Sequence, residues 1–130
     1  MIAKDAARPD KWQKRFTDLA RFWSQFMTCD RARVGAVIVK DKRVIASGYG
    51  GAPSGSVTCD EVGHAMHNEH CVRTVHAEMN AIAQAARFGP STDGCDMYVT
   101  VMPCFNCAKM IAAVGIKRVY YLNEYHPEEW

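Results

Sequence analysis

The sequence has no long hydrophobic run. No apolar stretch approaches the roughly 20 residues that a helix needs to cross a bilayer, and residues 1–14 are too polar for a signal peptide. We therefore expect no membrane partner. We also expect a location in the cytoplasm, or in the host cytoplasm if the source is a virus.

An excess of charge of one sign is also missing. The 16 Lys and Arg residues nearly balance the 14 Asp and Glu residues, which leaves a formal net charge of +2. Domains that bind nucleic acids usually carry a concentrated basic patch and a stronger positive charge. The balance therefore predicts that the chain binds no nucleic acid.

Cysteines are present, but they are not arranged as a disulfide framework. The six cysteines cluster near histidines, and without an export signal this favours metal binding in a reducing compartment. The 130 residues are 48% hydrophobic and 23% charged, a composition that can build a core. We expect one domain over residues 1–130.

Periodicity along the chain predicts helices packed on a sheet. In the second half a strand, a helix and another strand alternate, which is typical of parallel pairing through a right-handed crossover. A polar segment from Gly50 to Arg73 has no period, and a loop of that length is either functional or held by something. The predicted helices are Pro9 to Met27, Thr74 (as N-cap) to Arg87 and Pro103 to Val114, and the predicted strands are Val34 to Lys40, Arg43 to Tyr49, Asp96 to Val101 and Lys117 to Leu122, with a tight turn at Asp41-Lys42.

One imidazole and two thiols have the spacing of metal ligands. His76 and Glu78 form a His-x-Glu triplet, and Cys104 and Cys107 follow Pro103 in a Pro-Cys-x-x-Cys segment. Both cysteines can bind one ion, because residues three apart share a helix face and a helix N-terminus favours the thiolate form. Three protein ligands leave the fourth position of zinc open for water, as in catalytic sites. Glu78 is placed to move protons to and from that water.

Plainer interpretations of these residues exist. A Cys-x-x-Cys pair often forms a redox pair or a structural zinc clip, and a structural site would take a fourth protein ligand, which another histidine can supply. The redox interpretation is disfavoured because nothing around Cys104 resembles a thioredoxin motif. Together, the two half-motifs are similar to the signature of zinc-dependent nucleobase deaminases.

The resemblance extends beyond this signature. The segment from Cys71 to Ile82, with Cys29-x-Arg31 and Val34-Gly-Ala36 upstream, resembles the deoxycytidylate (dCMP) deaminase family, and further matches run to His126. The resemblance implies a cytidine-deaminase-like three-layer α/β sandwich, with a mixed central sheet of four to five strands and helices on both faces. It also implies a hexamer that hydrolyses dCMP to dUMP and ammonia with catalytic zinc, activated by dCTP and inhibited by dTTP with Mg²⁺.

The family's functional residues match particular positions of this chain. In the family, the histidine, the two cysteines and the glutamate described above hold the zinc and shuttle the proton. Arg31 would meet the substrate phosphate, which suits a planar guanidinium, and Tyr125 would lie near the pyrimidine ring. Without the resemblance, each is equally compatible with an ordinary structural or surface position. Asn80, one helical turn after His76, would face the pocket or simply be exposed.

One segment departs from the family pattern. Gly48-Tyr49-Gly50-Gly51 stands where the family usually has Gly-Tyr-Asn-Gly, a segment associated with the regulatory nucleotide. Tyr49, Gly50 and Gly51 are therefore the candidate allosteric residues. Glycine in place of asparagine removes an amide and adds backbone freedom, so nucleotide regulation is expected to be lost or altered.

A second set of metal ligands precedes the His-x-Glu triplet. Thiols and imidazoles at short spacing suit a closed structural zinc site, which would also hold the polar segment in order. The alternative is a solvated loop with incidental histidines, and the final four ligands stay open. The candidates are Cys59, His64, His70, Cys71 and Cys29.

Other functions fit parts of this pattern. A tRNA adenosine deaminase, or another nucleoside or base deaminase, shares the zinc signature, although a tRNA substrate requires a more basic surface. Arg31 favours a nucleotide over a nucleoside. A non-catalytic, zinc-stabilised nucleotide-binding module would keep the metal without needing Glu78.

Overall fold

The computed structural model is built on a five-stranded mixed sheet. It describes residues 2–4, 11–27, 33–53, 55–67, 70–71 and 73–123. The helices are α1 (Lys11–Ser24), α2 (Cys59–Val62), α3 (Ala77–Phe88) and α4 (Phe105–Ala113), and the strands are β1 (Ile2–Lys4), β2 (Gly35–Lys40), β3 (Arg43–Tyr49), β4 (Met66–His67), β5 (His70–Cys71), β6 (Asp96–Val101) and β7 (Arg118–Asn123). The large sheet has the order β1-β7-β6-β2-β3, and β4 and β5 form a separate two-stranded sheet.

The centre of the large sheet joins an antiparallel half to a parallel half. Strand β2 pairs antiparallel with both β3 and β6, with Val37 opposite Tyr98 in the second pair. Strands β6 and β7 run parallel, and α4 connects them. The predicted parallel crossover is therefore confirmed. Strand β1, which the sequence analysis did not predict, pairs parallel with β7 and completes that edge.

Helices cover both faces of the sheet. Side chains alternate along β2, so Val37 and Val39 pack with Phe16 of α1, whereas Ala36 and Ile38 belong to the core cluster that includes α3 and α4. Since both of its faces are buried, β2 is an almost continuous apolar run instead of an alternating one. This arrangement confirms the predicted three-layer α/β sandwich, and the mixed sheet has five strands where four to five were predicted.

Strand β3 approaches α3 closely. A Cβ atom at Gly48 would collide with the backbone of Ala77 and Ala81 at the start of α3. Only glycine therefore allows this contact, which brings the end of β3 against the beginning of α3. At the other end of β3, the predicted tight turn is confirmed: Asp41 and Lys42 have φ angles of 51° and 62°, as a two-residue hairpin turn requires.

Several predicted boundaries need correction. The first helix occupies Lys11–Ser24, within the longer predicted range. Thr74 is not the N-cap of α3; that position belongs to His76, because Val75 is held extended by a bridge to Gly51. The polar segment, predicted without a period, contains α2, β4 and β5. Within the described ranges, no helix combines the length and the apolar character needed to cross a membrane.

Candidate metal centre and active site

The helices α3 and α4 begin with the predicted metal ligands. His76 is the N-cap of α3 and Cys104 is the N-cap of α4, and both have extended backbones, with ψ angles of 149° and 170°. Neither side chain makes a capping hydrogen bond. Both helices begin two residues later than predicted, α3 at Ala77 instead of Val75 and α4 at Phe105 instead of Pro103. The N-cap positions turn the side chains of His76 and Cys104 toward each other.

The three donor atoms have the separations of a zinc site. His76 Nδ1 lies 3.3 Å from Cys107 Sγ and 3.6 Å from Cys104 Sγ. A tetrahedral zinc ion with normal Zn–N and Zn–S bond lengths requires a nitrogen–sulfur separation of about 3.6 Å. All three donors lie within 4.8 Å of one another, and no other such group of three or more possible ligands occurs in the described part of the chain. The residues therefore fit a zinc ion.

Burial differs sharply among the groups of this centre. Cys107 is 2% exposed and Glu78 is 4% exposed, whereas the His76 side chain is solvent-exposed and Cys104 is intermediate. The centre is therefore open to solvent on the histidine side. The open side leaves access for a ligand that is not part of the protein.

Hydrogen bonding splits the titration of the two thiols. A hydrogen bond between the two cysteines is the main reason why the pKa of Cys104 falls to about 4, and a hydrogen bond between Cys104 and His76 lowers this pKa further. The same pairing, with burial, raises the pKa of Cys107. The bond to Cys104 also raises the pKa of His76. Without metal, the thiol pair therefore holds one negative charge, and metal binding must displace further protons.

Glu78 has the most perturbed carboxyl group at this centre. Burial raises its pKa from 4.5 to about 7, against the lowering effects of a backbone hydrogen bond and of the nearby His76. A carboxyl group with this pKa can take up and release a proton near neutral pH. A pKa near the working pH is the property that a proton shuttle needs.

An open groove runs between α3 and α4 beside the centre. Its volume is about 540 Å³, and its walls include His76, Cys107, Met79 and Met110. Neither Glu78 nor Cys104 lines it. The groove therefore reaches two of the three donors but does not by itself define a substrate pocket.

The predicted substrate residue Asn80 contacts the protein backbone. Its Nδ2 donates to the carbonyl oxygens of Tyr49 at 2.9 Å, Gly51 at 3.3 Å and Val75 at 3.3 Å. These contacts occupy the amide donors of the side chain. The other two predicted substrate residues, Arg31 and Tyr125, lie outside the described residues.

The candidate allosteric residues lie at the end of β3, beside α1. The Tyr49 ring stacks on Trp23 with the ring centroids 6.0 Å apart and an interplanar angle of 13°. A Cβ atom at Gly50 would lie 2.6 Å from Met27 Cε. Met27 therefore takes the space that a side chain at position 50 would need, and its sulfur accepts a hydrogen bond from the Val34 amide.

Of the five candidate ligands of the second metal site, the structure describes the side chains of two, Cys59 and His64. Cys59 is buried at the start of α2, with its Sγ atom 3.6 Å from Thr74 Oγ1, and His64 is exposed. For His70 and Cys71 only the backbone, in β5, is described, and Cys29 lies outside the described residues.

Two features near the candidate site residues, the cap of α2 and the position of Met27, were not predicted from the sequence. Thr58 and Glu61 form a capping box that starts α2, and the Thr-x-x-Glu spacing was a usable signal for it. Met27 had no local signal, because its role depends on a long-range contact with Gly50.

Comparison with known proteins agrees with this geometry. Residues 10–123 match the family model of the cytidine and deoxycytidylate deaminase zinc-binding region. The chain belongs to this family. The predicted family, fold and enzyme class are therefore confirmed.

Three relatives illustrate the range of the match. The chain is 48% identical over 118 residues to ComE operon protein 2 of Bacillus subtilis (strain 168), covering 89% of this chain and 62% of that protein. It is 38% identical over 130 residues to the deoxycytidylate deaminase of Mycobacterium phage D29, covering 91% of this chain and 98% of that protein. The crystal structure of the dCMP deaminase from cyanophage S-TIM5, in complex with dCMP and dUMP, superposes with a TM-score of 0.80 at 35% identity, covering 89% of this chain and 84% of that one.

Proposed function

We propose that this chain hydrolyses dCMP to dUMP and ammonia with a catalytic zinc ion, and so supplies dUMP for thymidylate synthesis. The observation that carries the proposal is the centre of one imidazole and two thiols at zinc-ligand separations, with the buried Glu78 two residues from His76. Membership of the family supports the reaction class. The phage relative bound to dCMP and dUMP supports the substrate.

The residues of the centre divide the chemistry between metal binding and proton transfer. A zinc ion held by His76, Cys104 and Cys107 would supply Lewis acidity, which makes water nucleophilic near neutral pH. Glu78 takes a proton from the attacking water and transfers it to the pyrimidine ring nitrogen. A carbon–oxygen bond forms at the carbon that bears the amine, the carbon–nitrogen bond breaks, and the amine leaves as ammonia with a second proton from the water.

Recognition of the nucleotide is assigned to Arg31 and Tyr125. Arg31 would bind the phosphate with its guanidinium, and Tyr125 would stack near the base. The test compares dCMP with deoxycytidine, which lacks the phosphate. We expect Arg31→Ala to reduce kcat/KM for dCMP far more than for deoxycytidine, and equal losses would remove this assignment.

A second, structural zinc is proposed in the polar segment. Its candidate ligands are Cys59, His64, His70, Cys71 and Cys29, and the support is their ligand chemistry together with the buried position of Cys59. Two zinc ions per chain, with one lost in Cys59→Ser, would support the site. One zinc per chain in both proteins would remove it.

Regulation and assembly are proposed on the strength of the resemblance. We propose a hexamer that responds to dCTP and dTTP with Mg²⁺ through Tyr49, Gly50 and Gly51. Because Met27 takes the space next to Gly50, we expect this response to be weaker than in an enzyme with asparagine there. We also propose a cytoplasmic location and action as one domain, since paired thiol ligands need a reducing compartment.

The deciding experiment measures ammonia release from dCMP, deoxycytidine and CMP side by side. Each substrate is tested with and without dCTP or dTTP in Mg²⁺. Turnover of dCMP that responds to the triphosphates would support both the reaction and its regulation, and turnover that ignores them would support the reaction alone. No turnover of any of the three would overturn the proposal and point to tRNA or purine substrates.

A further inference from the structure

The side chain of Asn80 joins three backbone carbonyls from two separate segments. Its Nδ2 lies 2.9 Å from the carbonyl oxygen of Tyr49, at the end of β3, and 3.3 Å from that of Gly51. It also lies 3.3 Å from the carbonyl oxygen of Val75, the residue before the metal-site histidine. An amide NH₂ group has two protons, so three acceptors use its whole donor capacity.

The same two segments are joined directly by the backbone. The Gly51 amide donates to the Val75 carbonyl at 3.1 Å, and the Val75 amide donates to the Gly51 carbonyl at 2.8 Å. Because a carbonyl oxygen has two lone pairs, Asn80 takes the second acceptor position on both of these carbonyls. The bridge and the amide together therefore fix the peptide group that links Val75 to His76.

The direction of the imidazole depends on that peptide group. His76 is the N-cap and has an extended backbone. The backbone amide of Asn80 makes the first hydrogen bond of α3, which it donates to the His76 carbonyl at 2.9 Å. Asn80 therefore holds the backbone on both sides of His76. Its side chain binds the carbonyl of Val75, and its backbone amide binds the carbonyl of His76. When a group that orients a metal ligand from outside the coordination sphere is replaced, metal affinity commonly falls by about 10- to 100-fold.

We propose that Asn80 is a positioning residue for the metal centre, which aims His76 Nδ1 at the ion by clamping the Gly51–Val75 bridge. The proposal rests on the zinc site of the proposed function, but not on the identity of its substrate. It gives Asn80 a role distinct from the substrate contact predicted from the sequence. It also links the metal centre to the Tyr49–Gly51 segment through one side chain.

A matched control is available one turn further along α3. Gln84 Oε1 accepts a hydrogen bond from the Ser47 amide at 2.7 Å, so it also joins α3 to β3. That bond involves neither His76 nor a residue next to His76. Gln84→Ala therefore removes a helix–strand contact of the same kind without touching the metal-ligand backbone.

The experiment measures zinc affinity by titrating the zinc-loaded protein with a competing chelator. The variants are Asn80→Asp, which replaces the donors by acceptors at nearly constant shape, Asn80→Ser, which keeps one short donor, and Gln84→Ala. We expect Asn80→Asp to weaken zinc binding by at least about 10-fold, Asn80→Ser to lie between it and the wild type, and Gln84→Ala to leave affinity within about two-fold.

A spectroscopic readout separates positioning from general destabilisation. In protein grown with cobalt, we expect the visible bands of Co²⁺ to shift in the Asn80 variants and to stay unchanged in Gln84→Ala. Wild-type zinc affinity and cobalt spectrum in Asn80→Asp would overturn the proposal, even if its melting temperature fell. If Asn80→Asp does not fold, Asn80→Ser decides by the same two measurements. Neither readout depends on dCMP, so an error in the assigned substrate would leave this test intact.

Discussion

The N-cap residues that the structure describes, those of α2, α3 and α4, are used in two different ways. At the start of α2, the Thr58 hydroxyl accepts a hydrogen bond from the Glu61 amide, and the Glu61 carboxylate accepts one from the Thr58 amide. At the starts of α3 and α4, His76 and Cys104 make no capping bond and turn toward each other. The first arrangement stabilises the start of α2. In the second, the N-cap side chains of α3 and α4 make no capping bond and instead form a metal centre between the two helices.

The difference follows from what each side chain can reach. Thr58 has a short hydroxyl next to a glutamate three residues on, so its partners are local. His76 and Cys104 each find a partner 28 residues away in sequence, at 3.6 Å. The sheet makes this contact possible, because it places the first turns of two crossover helices side by side. Function here therefore depends on long-range packing, while the start of α2 depends on four consecutive residues.

The largest effect is expected from removing a metal ligand. Cys107 is buried and hydrogen-bonded to the imidazole, so Cys107→Ser should abolish zinc binding at this centre and leave no detectable turnover of dCMP. Zinc content by atomic absorption and ammonia release measure the two effects. The buried Cys95, which donates a hydrogen bond to the Ser91 carbonyl, provides the control, since Cys95→Ser should keep both. Full activity in Cys107→Ser would contradict the assignment of His76, Cys104 and Cys107 as the zinc ligands.

A large but separable effect is expected from Glu78→Gln. The amide keeps the shape of the side chain but cannot accept the proton of water, so kcat should fall by about 10²- to 10⁴-fold. Zinc content should stay at the wild-type level, because Glu78 is not among the three grouped donors. An unchanged kcat would contradict the assignment of Glu78 as the proton shuttle, whereas no turnover by either protein would favour a non-catalytic nucleotide-binding module.

The same substitution should change stability with a defined pH dependence. Burial raises the pKa of Glu78 from 4.5 to about 7, so between these values the folded state binds more protons than the unfolded state. Stability of the metal-free wild type should therefore fall as the pH rises through this window. Glu78→Gln cannot ionise and should escape that loss. Thermal melting after chelator treatment should show the variant above the wild type at pH 8, with a smaller difference at pH 5.

The smallest effect is expected at the local cap. Thr58→Ala removes both side-chain bonds to Glu61 and should cost about 1 kcal/mol of stability, which is typical for an N-cap threonine. Denaturant unfolding measures this loss. Zinc bound by His76, Cys104 and Cys107 and the turnover of dCMP should remain. A loss of turnover as large as that in Cys107→Ser would contradict the separation of the two kinds of N-cap.

The sequence was most informative where the signal is local. The strand ranges of β3 and β6 match their predictions, because β-branched runs bounded by turn residues mark them. The ligand triad was also predicted, since its spacing reflects helix geometry. Its N-cap position was not, because the bridge between Gly51 and Val75 that delays the start of α3 joins residues 24 apart.

Side-chain partners across the fold were the other gap. Asn80 was expected to face solvent or substrate, but it donates to three carbonyls whose positions depend on the packing of β3 against α3. Met27 beside Gly50 is a contact of the same kind. Neither contact is marked by a sequence period or motif, because each joins residues that are far apart in the chain, so only the folded arrangement reveals it.

The dependence of the reaction on zinc can be measured by following zinc content and turnover together in one sample. Ammonia release from dCMP is measured with the zinc content of the purified protein, then after chelation, and again after zinc is returned. Turnover should disappear when the zinc held by His76, Cys104 and Cys107 is removed, and it should recover when zinc is restored. Undiminished turnover of dCMP by protein without zinc would contradict this dependence.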